Sequence, residues 1–251
     1  MKKIVVSKPF IGTKNVRNFD VMMDGLAMAE GEGRFGVVFS EAGRGKSRTV
    51  KKWHADNRDS IYILAQEVWK SNYTDFLKKM CIELGIRPAP KRKGDCFAQA
   101  IDSLLEYPRT VIVDEIEKLP NGFLEIMRDL TELTGCAVVL VGEEELASHM
   151  KQNRRIWNRT FQQVEFDLIG SGDIMMYVKT ATSDPTEKKD GFEGLKLSSE
   201  NASLIHSLTQ GNFRDVRRLT INLSKICNDK KSAEVTAQMI KAAYKTGLSG
   251  S

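Results

Sequence analysis

The chain has 251 residues, 41% of them hydrophobic and 28% charged, with a net charge of +5. A mean hydropathy of -0.33 and the lack of an apolar run long enough for a bilayer argue against a membrane partner and lead to the expectation of a cytoplasmic protein. Four widely spaced cysteines (Cys81, Cys96, Cys136, Cys227) without a C-x-x-C pair, and three scattered histidines, argue against a disulfide framework and a zinc site.

The opening MKKIVVSKPF has too few consecutive apolar residues for a secretion signal. Phe19, Met22, Met23 and Leu26 then recur at helical spacing. FGVVF at 35–39 is the first candidate strand, and SEAGRGKSRT at 40–49 follows it directly. This stretch matches the phosphate-binding pattern G-x-x-x-x-G-K-[ST] except that Ser40 stands at the first glycine. The next residues, RTVKKWHADN, read as a helix, so the strand–loop–helix context that such a loop needs is present. Gly43 and Gly45 allow backbone N–H groups to approach phosphates, and the helix start adds partial positive charge. Lys46 is expected to reach the β and γ phosphates of ATP and Ser47 to help hold Mg²⁺. The whole loop, Ser40, Glu41, Ala42, Gly43, Arg44, Gly45, Lys46, Ser47 and Arg48, is the expected nucleotide contact. Serine is compatible with the first position provided the backbone there does not need a positive φ.

A second strand is expected at 61–65 (IYILA), then a helix through Phe76, Leu77, Met80, Cys81 and Leu84. PAPKRKG at 88–94 separates it from another helix through Phe97, Ile101, Leu104 and Leu105. TVIV at 110–113 is the next candidate strand, and TVIVDE at 110–115 ends it in two adjacent carboxylates. Asp114 is expected to hold Mg²⁺ through water and Glu115 to orient an attacking water as general base. Phe123, Ile126, Met127, Leu130 and Leu133 give a further helix, followed by CAVVLV at 136–141 and a last strand at 164–168. The middle strands are continuous apolar runs, as in a parallel sheet covered on both faces. A polar break at 183–196 precedes purely helical spacing through Leu204, Leu208, Val216, Leu219, Leu223 and Ile226, and the tail at 247–251 is expected to be disordered. The expected architecture is an α/β core, residues 1–170, with a five-stranded parallel sheet flanked by helices, and a small all-helical lid, residues 171–251.

Phosphate loop, Asp114–Glu115 pair, helical lid and the GNFR run at 211–214 together resemble the AAA+ ATPases. TKNVRNFDVMMDGL at 13–26, IVDEIEKL at 112–119 and RRIWNRTFQQVEF at 154–166 resemble more narrowly the transposition protein B group of Mu-like phages, related to the IstB- and TnsC-type transposon ATPases. The resemblance implies an ATP-dependent ATPase that binds duplex DNA without sequence preference, assembles as a ring or helical filament, and recruits and stimulates a transposase. It implies an arginine that completes the neighbouring subunit's site, Arg159 first and Arg155 next, and a sensor arginine in the lid, Arg214. It also implies a polar sensor at the tip of the fourth strand, where this chain has Glu143 after Gly142. Because the core starts within the first dozen residues, DNA contacts are expected from the core itself, at Lys70, Ser71, Lys78 and Lys79 and then at Lys91, Arg92 and Lys93. Two alternatives stay open: a helicase-loader or initiator-like ATPase, and an ATP-bound DNA-coating scaffold with negligible turnover.

Overall fold

A computed structural model describes residues 4–120, 122–183 and 194–248. It divides the chain into two units, Asn15–Phe166 and the combination of Met1–Lys14 with Asp167–Ser251.

In the first unit β1 (Phe35–Phe39), β2 (Ser60–Leu64), β3 (Thr110–Asp114), β4 (Val138–Gly142) and β5 (Thr160–Glu165) form one parallel sheet in the order β2-β3-β4-β1-β5. Side chains alternate across it, as the pleat requires. Val37, Ile63, Val113 and Leu140 join one cluster with Phe76 and Met80 of α3 (Thr74–Glu83), Leu104 of α4 (Lys93–Glu106) and Met127 of α5 (Phe123–Thr134). Val38, Ile112, Val139 and Val141 join another with Phe19, Met22 and Leu26 of α1 (Lys14–Met28) and Val50 of α2 (Lys46–Asp56). Both faces are therefore covered, and the apolar strands form because each face has helices to bury it. Gly36 lets α1 lie close to β1: a Cβ there would stand 2.7 Å from Leu26 Cδ1. The short α6 (Glu145–Gln152) and α7 (Arg154–Trp157) lead from β4 to β5.

The last strand runs over 160–165 and not over 164–168. Among the described residues it pairs with β1 at one edge of the sheet, and of its six residues Val164 alone is buried, so its TFQQ start lacks the apolar run that marks the inner strands.

The second unit contains α8 (Ser171–Thr182), α9 (Ser199–Thr209), α10 (Phe213–Asp229) and α11 (Ala237–Leu248). Tyr177, Val178, Ile205, Val216, Leu223 and Ile240 form its core, together with Ile4 and Ile11. The first described residues thus pack in the helical unit, where the sequence had grouped them with the core at 1–170. The Ile4 N–H donates to Asn228 Oδ1 at 2.7 Å, Asn228 Nδ2 donates to the Ile4 carbonyl at 2.9 Å, and Ser7 N–H donates to the Ala181 carbonyl at 2.7 Å. Of the polar break at 183–196, residues 184–193 lie outside the described residues. The tail expected to be disordered begins inside α11, and 249–251 lie outside the described residues. Among the described residues no helix is long and apolar enough to cross a membrane.

Candidate functional site

β1 delivers the chain to the loop at 40–45, and α2 starts at Lys46. Gly43 and Gly45 have φ of 87° and 96°, the left-handed conformations that glycine adopts without a Cβ penalty. Ser40 is not among the non-glycine residues with positive φ, so serine meets no backbone conflict at the first position. Gly45, the residue before α2, has no side chain to cap the helix, and a helix start of this kind favours an anion. Lys46 Nζ donates to the Ser40 carbonyl at 2.5 Å, to Ser40 Oγ at 3.0 Å and to the Glu41 carbonyl at 3.0 Å. Burial lowers the Lys46 ammonium from its ordinary value, against the opposing pull of Glu117, Asp114 and Glu143, in that order. Arg44 bonds Glu41 Oε2 at 2.5 Å and the Phe166 carbonyl at 3.5 Å, while its buried Nε has no partner. Ser47 stands partly exposed in the first turn of α2 and Arg48 follows it; Glu41 and Ala42 are exposed at the loop tip.

Asp114 ends β3 at 1% exposure. Its Oδ1 accepts from the Glu115 N–H at 3.0 Å and its Oδ2 from the Tyr62 hydroxyl at 2.6 Å. Glu115 has a φ of 58° and its carboxylate is ion-paired with Lys118. Glu117 is the carboxylate that pulls most on Lys46; its Oε2 accepts from the Glu143 N–H at 3.3 Å, at the tip of β4. Desolvation, and after it the nearby Glu143 charge, raise the Glu117 carboxyl above its ordinary value. The fold thus gathers Lys46, Asp114, Glu117 and Glu143 at the carboxyl edge of the sheet.

The donor set suits the expected ligands. A helix start whose cap residue is glycine, an ammonium and an unpartnered guanidinium N–H fit a polyphosphate, and the Ser47 hydroxyl and the buried Asp114 carboxylate are each hard oxygen donors of the kind Mg²⁺ prefers. Among the described residues no group of three or more His, Cys, Asp or Glu is arranged to hold a metal, so a cation here would need oxygens from the nucleotide as well. Sequence reasoning missed Tyr62 and Glu117. Tyr62 reads as core in IYILA; Glu117 lay in view inside DEIEKL, overshadowed by the adjacent Asp114–Glu115 pair.

The other expected residues lie elsewhere. The Phe35 N–H donates to the Arg159 carbonyl at 2.9 Å, which sets Arg159 at the amino edge of the sheet, a strand length from Lys46. Its guanidinium lies 3.5 Å from Glu132 and 3.5 Å from the Gly33 carbonyl, in a surface pocket of about 560 Å³ shared with Arg34, Arg128 and Arg155. Arg214 belongs to the helical unit, exposed at the start of α10, with its N–H on the Asn212 side chain at 3.0 Å. Lys70 pairs with Glu67 at 3.2 Å, Lys78 with Asp75 at 3.1 Å, and Lys79 with Glu83; Ser71 is exposed beside them. Lys91 and Arg92 are exposed, and Lys93 Nζ lies 5.6 Å from the centre of the Tyr73 ring.

Residues 29–150 match the AAA domain family. The chain is 24% identical over 216 residues to the Mu-like prophage FluMu DNA transposition protein B of Haemophilus influenzae, spanning 83% of this chain and 70% of that one. It is 27% identical over 147 residues to the ATP-dependent target DNA activator B of Escherichia phage Mu, spanning 58% of this chain and 46% of that one. Among solved structures, Cdc6p from Pyrobaculum aerophilum superposes with a TM-score of 0.68 at 14% identity, over 97% of this chain and 72% of that one. The structural likeness shows the fold.

Proposed function

We propose, for a chain that has the AAA+ fold and resembles the transposition protein B of Mu-like phages, that it is a cytoplasmic ATPase that binds target DNA in transposition. The observation that carries the nucleotide half is the convergence of Lys46 and Asp114 from two strands separated by β4, in the order β2-β3-β4-β1-β5. Lys46 binds the β and γ phosphates and gives up its carbonyl contacts to do so. Ser47 and Asp114 hold Mg²⁺, which neutralises charge on the phosphates when bound. Glu115 turns from Lys118 to orient the attacking water, accepting its proton. Arg159 cannot serve its own site from the amino edge, which supports its acting on a neighbour's nucleotide, and Arg214 reads nucleotide state from the helical unit. The assembly is a homo-oligomer, ring or helical filament, that contacts duplex DNA phosphates without sequence readout and recruits a transposase.

A second reading, an ATP-bound DNA-coating scaffold with negligible turnover, is favoured by the Glu115–Lys118 ion pair and by Glu143 at the tip of β4. Imaging on plain duplex DNA with and without ATP, combined with phosphate release, tests both. The ATPase reading expects ATP-dependent assemblies with turnover that Glu115→Gln abolishes while the assembly stays on DNA. Assemblies without turnover support the scaffold, and no ATP-dependent assembly refutes both.

A further inference from the structure

Tyr62 belongs to none of the sequence motifs, yet it touches the carboxylate at the centre of the site. β2 and β3 pair with Tyr62 opposite Ile112 and Leu64 opposite Asp114, so the phenol reaches two positions along the neighbouring strand. There its O–H donates to Asp114 Oδ2 at 2.6 Å, while Oδ1 is held by the Glu115 N–H at 3.0 Å. Asp114 is 1% exposed, and a buried carboxylate is oriented by whichever donors it has. The ring is in turn gripped by α2, the helix that starts with Lys46 and Ser47. His54 stacks on it with centroids 5.8 Å apart at 30°, Lys51 Nζ lies 5.4 Å from its centre, and His54 Nδ1 is tied to Ser60 Oγ at 2.8 Å. Lys51 and His54 follow Ser47 by four and seven residues, on one face of the helix.

We infer that Tyr62 is a positioning residue for the bound cation: braced by the phosphate-loop helix, it fixes the Asp114 carboxylate in one rotamer at the end of β3. This rests on the reading that Asp114 and Ser47 hold Mg²⁺. A phenol suits the task because it gives a single directed hydrogen bond and leaves the remaining carboxylate lone pairs for a metal-bound water. Losing such an outer-shell donor lowers metal affinity by about 10- to 100-fold.

The test is Tyr62→Phe, read by binding of a fluorescent ATP analogue in EDTA and across a Mg²⁺ titration, with thermal unfolding followed alongside. The expected result is an affinity in EDTA within about twofold of the parent and a Mg²⁺ midpoint raised about tenfold or more. An unchanged midpoint overturns the inference. So does an equal loss in EDTA and in Mg²⁺, which would make Tyr62 a general support of the loop. Asp114→Asn separates the inference from its premise. If that variant loses the Mg²⁺ response and Tyr62→Phe keeps it, the positioning role alone is wrong. If Asp114→Asn keeps the response, the metal reading is wrong and the role of Tyr62 falls with it.

Discussion

Ser40 replaces a glycine of the phosphate-loop pattern, and its hydroxyl, 3.0 Å from Lys46 Nζ, is one of three oxygens holding that ammonium. A phosphate must compete with all three. A net hydrogen bond contributes about 0.5–1.5 kcal/mol, so Ser40→Ala should tighten ATP binding by roughly two- to tenfold, measured by equilibrium titration. Weaker binding would mean that the hydroxyl serves the bound state. Glu117 carries a second prediction. Its folded carboxyl is raised by desolvation, so its ionised form is disfavoured in the fold. That penalty is absent below the ordinary carboxylate range, where the group is protonated folded or unfolded. It appears as pH rises through the raised value. Glu117→Gln should therefore raise the melting temperature more at pH 8 than at pH 4, and an equal change at both would remove Glu117 from the electrostatics of the site.

At the scale of elements, the basic residues of α3 and of the turn before it differ in their surroundings from those of the loop before α4. Lys70, Lys78 and Lys79 each have an acidic partner three or four residues away, whereas Lys91 and Arg92 extend from an exposed loop that also holds Arg87. Exposed helix pairs of this kind are worth a few tenths of a kcal/mol and neutralise the face they occupy. Replacing Lys91 and Arg92 by alanine should weaken DNA binding and flatten its log–log salt dependence by about 0.9 per lost phosphate contact, while the triple replacement at 70, 78 and 79 changes it less. The reverse ranking would return DNA binding to α3 and the turn before it. In the helical unit, Asn228 makes two hydrogen bonds to the Ile4 backbone. Asn228→Ala should cost about 1–3 kcal/mol and speed hydrogen exchange at Ile4 and along α10, leaving the amides of β1 and β3 unchanged.

Across the whole molecule, local patterns were legible and distant partnerships were not. β1, β3 and β4 were readable because helices cover both their faces, which demands unbroken apolar runs. β5, which pairs with β1 at the edge of the sheet, carries Gln162 and Gln163 in a position that needs no such run. The place of Ile4 depends on Asn228, 224 residues away, and no periodicity records that. The same holds at the site: Lys46 and Asp114 announce themselves by motif, whereas Tyr62 acquires its role from an aspartate 52 residues later. The central claim is that the loop at 40–48 is a working nucleotide cradle with Lys46 at its centre. The most direct measurement is equilibrium binding of Mg²⁺-ATP to the parent and to Lys46→Ala, with circular dichroism to follow the fold. The account predicts saturable binding by the parent and a loss of about tenfold or more in the variant at unchanged helicity, the scale expected for a charge-assisted contact. Equal affinity in both proteins would contradict it.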